Sequence, residues 1–237
     1  MKKFIFTALT TFMLTNMANA QKIIAHRGYW DTENNAKNSI KSLKSAQEIG
    51  AYGSEFDVLI SADDVLMVNH DDNFQGHAIE MTNSSILKTL KLANNENMPT
   101  LEEYFEQGKK NKKVKLIFEL KPHSSKENEN RAVKKAIEII KKHKVEKQVE
   151  IISFSQTICD EFKKLAPEFH VSYLAGDLSP QEVKARNWNG IDYHYSVFQK
   201  NPTWVKEAKD LGLLVNVWTV NDPKVMQEMI DLKVDYI

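Results

Sequence analysis

The strongest constraint on this chain is a rhythm. From Lys22 to the last residue, short β-branched or apolar runs alternate with longer amphipathic stretches, the pattern of a parallel sheet whose strands are joined by crossover helices. The runs predict strands over 22–25, 53–59, 115–120, 149–154, 171–174, 190–193, 213–218 and 234–237. Helical periodicity predicts helices over 39–49, 101–109, 126–142, 156–165, 180–186, 202–211 and 223–232. Pro180, Pro202 and Pro223 each open one of the last three, in a first turn that tolerates a missing N–H, and Ser179, Asn201 and Asp222 precede them as N-caps.

Eight strands with helices between them in about 215 residues fit a closed TIM (β/α)8 barrel better than an open doubly wound sheet, because no Gly-rich dinucleotide turn follows the first strand. The rhythm breaks once. Residues 65–100 hold an extra strand over 65–69 and a polar segment over 83–97, too much for an ordinary loop. This is read as a small insertion after the second strand, about residues 71–98, set over the barrel mouth. The expectation is one barrel domain over 21–237, in which the helix that would follow the eighth strand is missing.

The first twenty residues read differently. Met1-Lys2-Lys3, an apolar run from Phe4 through Leu14, then Ala18-Asn19-Ala20 give the basic, apolar and small-residue order of a cleavable secretory signal. Export to a periplasmic or extracellular location is therefore expected. No later stretch approaches the roughly 20 apolar residues of a membrane span, so no stable membrane insertion is expected. Lys and Arg number 32 and Asp and Glu 32; this balance carries no sign of a nucleic-acid partner. Cys159 is the only cysteine, which rules out an intramolecular disulfide and fits a small buried filler.

The chemistry sits at strand ends. Side chains two apart on a strand share a face, so Glu55 and Asp57 project together while Phe56 points away, and Glu119 and Lys121 pair in the same manner. Three carboxylates in a low-dielectric mouth repel unless a cation lies among them, and three oxygen donors suit Mg²⁺ or Ca²⁺. The plainer alternative is that each acid pairs with a neighbouring Lys or Arg. His26-Arg27-Gly28 closes the first strand and His70-Asp71 the extra one, where barrel active sites are built. A single histidine there is usually structural. Two beside an Arg, a Lys and three acids match phosphodiester cleavage, which needs a base, an acid and cations for the phosphoryl charge. Gly28 allows either a sharp turn or a close approach to phosphate.

These residues, taken in order, resemble the glycerophosphodiester phosphodiesterases. The resemblance rests on His26-Arg27-Gly28, Asn38-Ser39, Glu55-Phe56-Asp57-Val58, Val68-Asn69-His70-Asp71, Pro99-Thr100-Leu101-Glu102-Glu103, Glu119-Leu120-Lys121 and Val217-Trp218-Thr219-Val220-Asn221. It implies a divalent cation held by Glu55, Asp57 and Glu119, and an acid/base pair in His26 and His70. It also implies that Arg27 and Lys121 hold phosphoryl oxygens, that Trp218 lines the substrate pocket, and that the substrate is a small glycerophosphodiester. The family usually has Pro-Glu-Asn-Thr where this chain has Ala36-Lys37-Asn38-Ser39, so an expected carboxylate is a lysine. It usually has Asp-Gly where this chain has Asp63-Asp64, which asks an Asp to take a turn conformation it tolerates.

The remaining histidines read more plainly. His77 and His123 are solvated loop residues near the mouth, His143 lies at a solvated helix end, and His194 faces inward if the register holds. Trp30 is a candidate pocket wall, whereas Trp188 and Trp204 are packing or surface residues. Three other functions fit parts of the pattern: a phosphodiesterase acting on phosphoinositides or other lipid headgroups, a barrel that binds phosphate esters without turning them over, and a sugar isomerase or epimerase.

Overall fold

The computed structural model describes residues 21–237; the expected signal segment over 1–20 lies outside the described residues. Seven parallel strands run around the barrel in sequence order. They are β1 (Ile24–Ala25), β2 (Gly53–Ile60), β6 (Lys115–Leu120), β7 (Val149–Ser153), β8 (Val171–Tyr173), β9 (Gly190–His194) and β10 (Leu214–Trp218). The eighth place is filled by a short run of extended chain. Tyr236 forms parallel bridges to both Lys22 and Asn216, and Ile24 N donates to Ile237 O at 2.7 Å, which joins the last position to the first. The sheet is thus a ring, as its eightfold rhythm requires.

The antiparallel β3 (Leu66–Val68) pairs with the far end of β2. Beyond it the insertion forms a hairpin of β4 (Asn73–Phe74) and β5 (His77–Ala78), a 3-10 turn at Ile79–Met81 and the short helix α2 (Ser84–Leu87). Its own small core of Leu59, Met67, Ile79, Leu87 and Met98 ties it to β2. Asp64, at φ 63, takes the left-handed turn conformation expected of it, as an aspartate can.

The helices are α1 (Ile40–Glu48), α3 (Leu101–Gly108), α4 (Lys126–His143), α5 (Gln156–Leu165), α6 (Pro180–Ala185), α7 (Tyr195–Lys200), α8 (Trp204–Asp210) and α9 (Pro223–Asp231). Caps set their starts: Ser39 accepts from Ser42 N, Thr100 and Ser179 form capping boxes with Glu103 and Glu182, and Asp222 accepts from Lys224 N and Val225 N. The expectation for 202–211 is corrected. Tyr195–Lys200 is a helix of its own, capped by His194, and the next begins only at Trp204 with Thr203 as N-cap. No helix among the described residues is long and apolar enough to cross a membrane.

Alternation along each strand divides the residues between two cores. Phe56, Val58, Leu116, Phe118, Ile151, Val171, Ile191 and Val215 face the helices in one large cluster. Ile117, Ile152 and Leu174 face inward, packed with Ile24, Phe154 and Trp218. Phe56 stacks on Phe118 at 5.6 Å and tilts on Tyr104 at 4.3 Å, so the residue between Glu55 and Asp57 anchors β2 from behind. Fully burying an aromatic side chain of this size stabilises the fold by roughly 2–3 kcal/mol.

Candidate active site

Register places the acids. In the parallel pairing of β2 with β6, Asp57 stands opposite Glu119. The β1–β2 pairing, Ala25 opposite Ser54, extends to set His26 beside Glu55, and His26 Nε2 lies 3.9 Å from Glu55 Oε2. Oxygens of Glu55, Asp57 and Glu119 all lie within 4.8 Å of one another, and all three residues are buried. Lys121 Nζ reaches Glu119 Oε1 at 2.8 Å and Asp57 Oδ1 at 3.4 Å, and Arg27 Nε lies 3.5 Å from Asp57 Oδ2. Pairing with Lys and Arg is therefore real but incomplete: Glu55 Oε1 is buried with no hydrogen-bond partner among the described residues.

The electrostatics follow from that imbalance. Burial, then the charges of Asp57 and Glu119, push the Glu55 carboxyl well above the usual carboxylate range. Burial, then Asp57, pushes Glu119 up to about 8. Asp57 is buried too, yet Lys121 and the Asn38 hydrogen bond more than offset that and hold it below its ordinary value. Burial works against the charge on Lys121, but Glu119 and Asp57 keep its pKa raised. His26 is lowered to about 4, first by burial and then by Arg27. Clustered acids with pKa values driven apart mark a site built for charge. An orphaned oxygen among three converging carboxylates fits a hard, oxygen-seeking cation.

The backbone is bent to make this possible. Arg27 sits at φ 57, where its N–H donates to Glu55 Oε2 at 2.8 Å. Gly28, at φ 78, donates to Ala25 O and Glu55 O, and a Cβ there would lie 2.3 Å from Ser42 Oγ. Its glycine thus serves a turn pressed against α1. Asn38, also at φ 57, clasps Asp57 from both sides: Nδ2 donates to Oδ2 at 2.9 Å and Oδ1 accepts from the Asp57 N–H at 3.3 Å. Non-glycine residues held at positive φ cost on the order of 1 kcal/mol or more and cluster where function requires them.

One cavity of about 680 Å³ unites the mouth. Its wall includes His26, Arg27, Glu55, His70, Glu119, Lys121 and Trp218, seven of the eight residues singled out from the sequence; Asp57 lies just behind them, within the acid cluster. His70 Nδ1 is 2.6 Å from Asp71 Oδ1, which holds the ring by that edge. Trp218 is fixed by its indole N–H, which donates to Asp192 O at 2.9 Å, and by edge contacts with Phe154 and His194. His194 faces inward as its register implied, where it supports Trp218 and caps α7. Trp30 lines the cavity as well.

Two plain readings change. His123 is half-buried, and its Nε2 accepts from Ile60 N at 3.0 Å. His143 is buried against Phe105, with Nδ1 3.1 Å from Glu106 Oε1. The sequence reading missed three supports of the site: Asn38 behind Asp57, Asp71 behind His70, and the inward pair Asp192–Asn216 (2.8 Å) on the cavity floor. Strand period could have found the last pair, since Asp192 and Asn216 share the face of His194 and Trp218. Asn38 and Asp71 lie on loops, where no period operates.

A closed parallel barrel whose C-terminal mouth gathers its polar side chains in this manner is an enzyme barrel of the TIM type. The comparisons define which: residues 26–237 match the Glycerophosphoryl diester phosphodiesterase family, and the chain belongs to that family of phosphoric diester hydrolases. It is 32% identical to a glycerophosphodiester phosphodiesterase of Caldanaerobacter subterraneus subsp. tengcongensis, over 91% of this chain and 92% of that protein. A crystal structure of a glycerophosphodiester phosphodiesterase from Parabacteroides distasonis superposes with a TM-score of 0.90 at 52% identity, covering 92% of this chain and 91% of that one. A phosphodiesterase from Oleispira antarctica, solved with the product sn-glycerol-3-phosphate, superposes with a TM-score of 0.80 at 25% identity, covering 91% of each chain.

Proposed function

We propose that this protein hydrolyses small glycerophosphodiesters to an alcohol and glycerol 3-phosphate, with a divalent cation, Mg²⁺ or Ca²⁺, held by Glu55, Asp57 and Glu119. The observation that carries this reading is the convergence of three carboxylates, two imidazoles, Arg27 and Lys121 on one cavity. When bound, the cation supplies positive charge for substrate and phosphoryl oxygens. Arg27 and Lys121 bind the phosphoryl oxygens, adding charge where the transition state gathers it. One imidazole of His26 and His70 takes the proton of the attacking water or substrate hydroxyl. The other delivers a proton to the leaving alcohol. Asn38 and Asp71 orient Asp57 and His70, and Trp218 offers a flat apolar wall to the glycerol moiety.

The test is release of glycerol phosphate from a panel of glycerophosphodiesters, after EDTA treatment and then with Mg²⁺ or Ca²⁺ restored. Activity should vanish with EDTA and return with the cation, and His26→Ala and His70→Ala should each lose about 10²-fold or more. A diester with a 4-nitrophenol leaving group divides the roles, since the variant it rescues is the one that lost the acid. Wild-type turnover by His26→Ala, or full activity in EDTA, would end this mechanism.

A further inference from the structure

The chain leaves the acid cluster at Arg27 and returns to it at Asn38, and the residues between form a flap at the cavity rim. The flap is tied down at several points. Tyr29 N donates to Ser42 O at 3.0 Å, Asn38 N donates to Arg27 O at 3.0 Å, and the Asn35 amide reaches Tyr29 O at 2.8 Å and Ser45 Oγ at 3.2 Å. It presents Tyr29, Trp30 and Asp31 to the cavity. Above Trp30 sits Lys37, its Nζ 4.5 Å from the indole centroid. Lys37 is exposed, and no carboxylate among the described residues lies within ion-pair distance of it, so the indole face is what holds its ammonium.

A phosphodiester carries two alcohols, and the cavity has two directions to receive them. Arg27, Lys121 and the imidazoles fix the phosphate between an inner wall of Ile117, Ile152, Leu174 and Trp218 and an outer rim of Tyr29 and Trp30. An indole at a rim is ordinarily an attractive surface for a quaternary ammonium. Here one face of the indole already carries a cation. A choline-like headgroup arriving at Trp30 meets like charge at the ring, whereas a headgroup bearing a phosphate or carboxylate meets an ammonium with no acid of the described residues in ion-pair distance.

We propose that the Lys37–Trp30 pair selects the leaving alcohol, favouring anionic headgroups and disfavouring quaternary ammonium ones. The proposal rests on the phosphodiesterase reading above. Asp31 is the counterweight on the same flap: it also lines the cavity, and a cation preference would come from it.

The experiment compares kcat/KM on three glycerophosphodiesters that differ in headgroup charge: choline, inositol and inositol 4-phosphate, each with saturating Mg²⁺ or Ca²⁺. Each rate is divided by the same variant's rate on the inositol diester, whose headgroup is uncharged, which removes any general loss of folding or chemistry. The wild type should prefer the inositol phosphate headgroup to choline. Lys37→Gln should shrink that preference about three- to tenfold, and Lys37→Glu should invert it. An unchanged ratio in Lys37→Glu, or a choline preference that Asp31→Asn abolishes, overturns the proposal and leaves the phosphodiesterase reading intact. If the wild type hydrolyses none of the three, the phosphodiesterase reading falls and this proposal falls with it.

Discussion

Charged side chains occupy both ends of this barrel, and the two ends treat them in opposite ways. At the N-terminal end Glu150 is met by Lys115 at 3.4 Å and by the Tyr52 hydroxyl at 3.4 Å, and Asp235 by Lys209 at 2.9 Å. Tyr52 and Tyr236 stack at 4.8 Å, share a hydroxyl contact at 3.1 Å, and carry Lys22 over both rings at 4.8 and 5.1 Å. Each of these acids has its cation, and Tyr236 is also the residue that closes the ring. At the mouth three buried acids face one lysine and one arginine, and a carboxylate oxygen is left without a partner. Matched charge closes a fold; unmatched charge in a cavity makes it able to bind something of opposite sign.

The comparison breaks most visibly in activity. Asp57→Asn or Glu119→Gln should lower kcat/KM by about 10³-fold, because each removes a carboxylate oxygen from the acid cluster proposed to hold the cation and a charged partner from Lys121. Glu150→Gln is the same chemical change at the other end. It should leave kcat/KM within about threefold and cost about 1 kcal/mol of stability. Comparable activity losses from Glu150→Gln and Glu119→Gln, measured on one substrate, would remove the distinction between the two ends.

The next effect is on stability, and its sign separates the ends again. Glu119, pushed up to about 8 by burial and Asp57, holds a proton more tightly when folded than when unfolded. Its ionisation therefore opposes folding, and the penalty grows as pH rises from its ordinary value of 4.5 through about 8. His26 runs the other way below 6.5, since its folded pKa lies at about 4, so the variant is best compared with the wild type at each pH. In EDTA, Glu119→Gln should become more stable than the wild type by about 1–3 kcal/mol as pH rises to about 8. Saturating Mg²⁺ or Ca²⁺ should reverse the order. A wild type that stays the more stable in EDTA across the whole range would show that Lys121 already satisfies the cluster.

How much of this was legible beforehand depended on periodicity. The period of two put Glu55 with Asp57 and Glu119 with Lys121 on one face, and β6 and α5 lie where the sequence reading set them. The eight runs also gave the ring, including the last, although Tyr236 enters it by bridges and never forms a full strand. Reading failed where geometry is local. Tyr195–Lys200 was lost because Asn201-Pro202 read as a cap and a first turn, although the true start waits for Trp204. His143 looked solvated within Lys141-Lys142-His143-Lys144, yet the helix turns that one position inward on Phe105. Asn38 and Arg27 act through left-handed backbone that no composition announces.

Asp192 belongs to neither end and sharpens the rule at the smallest scale. It lies inward on β9, buried, with Oδ2 accepting from Asn216 Nδ2 at 2.8 Å and Oδ1 without a partner among the described residues. Burial pushes its carboxyl up to about 7, even though the Asn216 hydrogen bond pulls the other way. The raised pKa means that the charged form is penalised in the fold: the cost begins above its ordinary 3.8 and is complete above about 7. Asp192→Asn should therefore change little at about pH 4.5 and stabilise the protein by roughly 1–2 kcal/mol at about pH 8, read from denaturant midpoints at both pH values with the cation saturating. Saturation holds the mouth constant, so a difference between the two pH values belongs to the floor. If the variant and the wild type differ by the same amount at both, Asp192 ionises as an exposed aspartate does. The barrel floor would then be as wet as the mouth, and unmatched charge inside this barrel would no longer mark the active end.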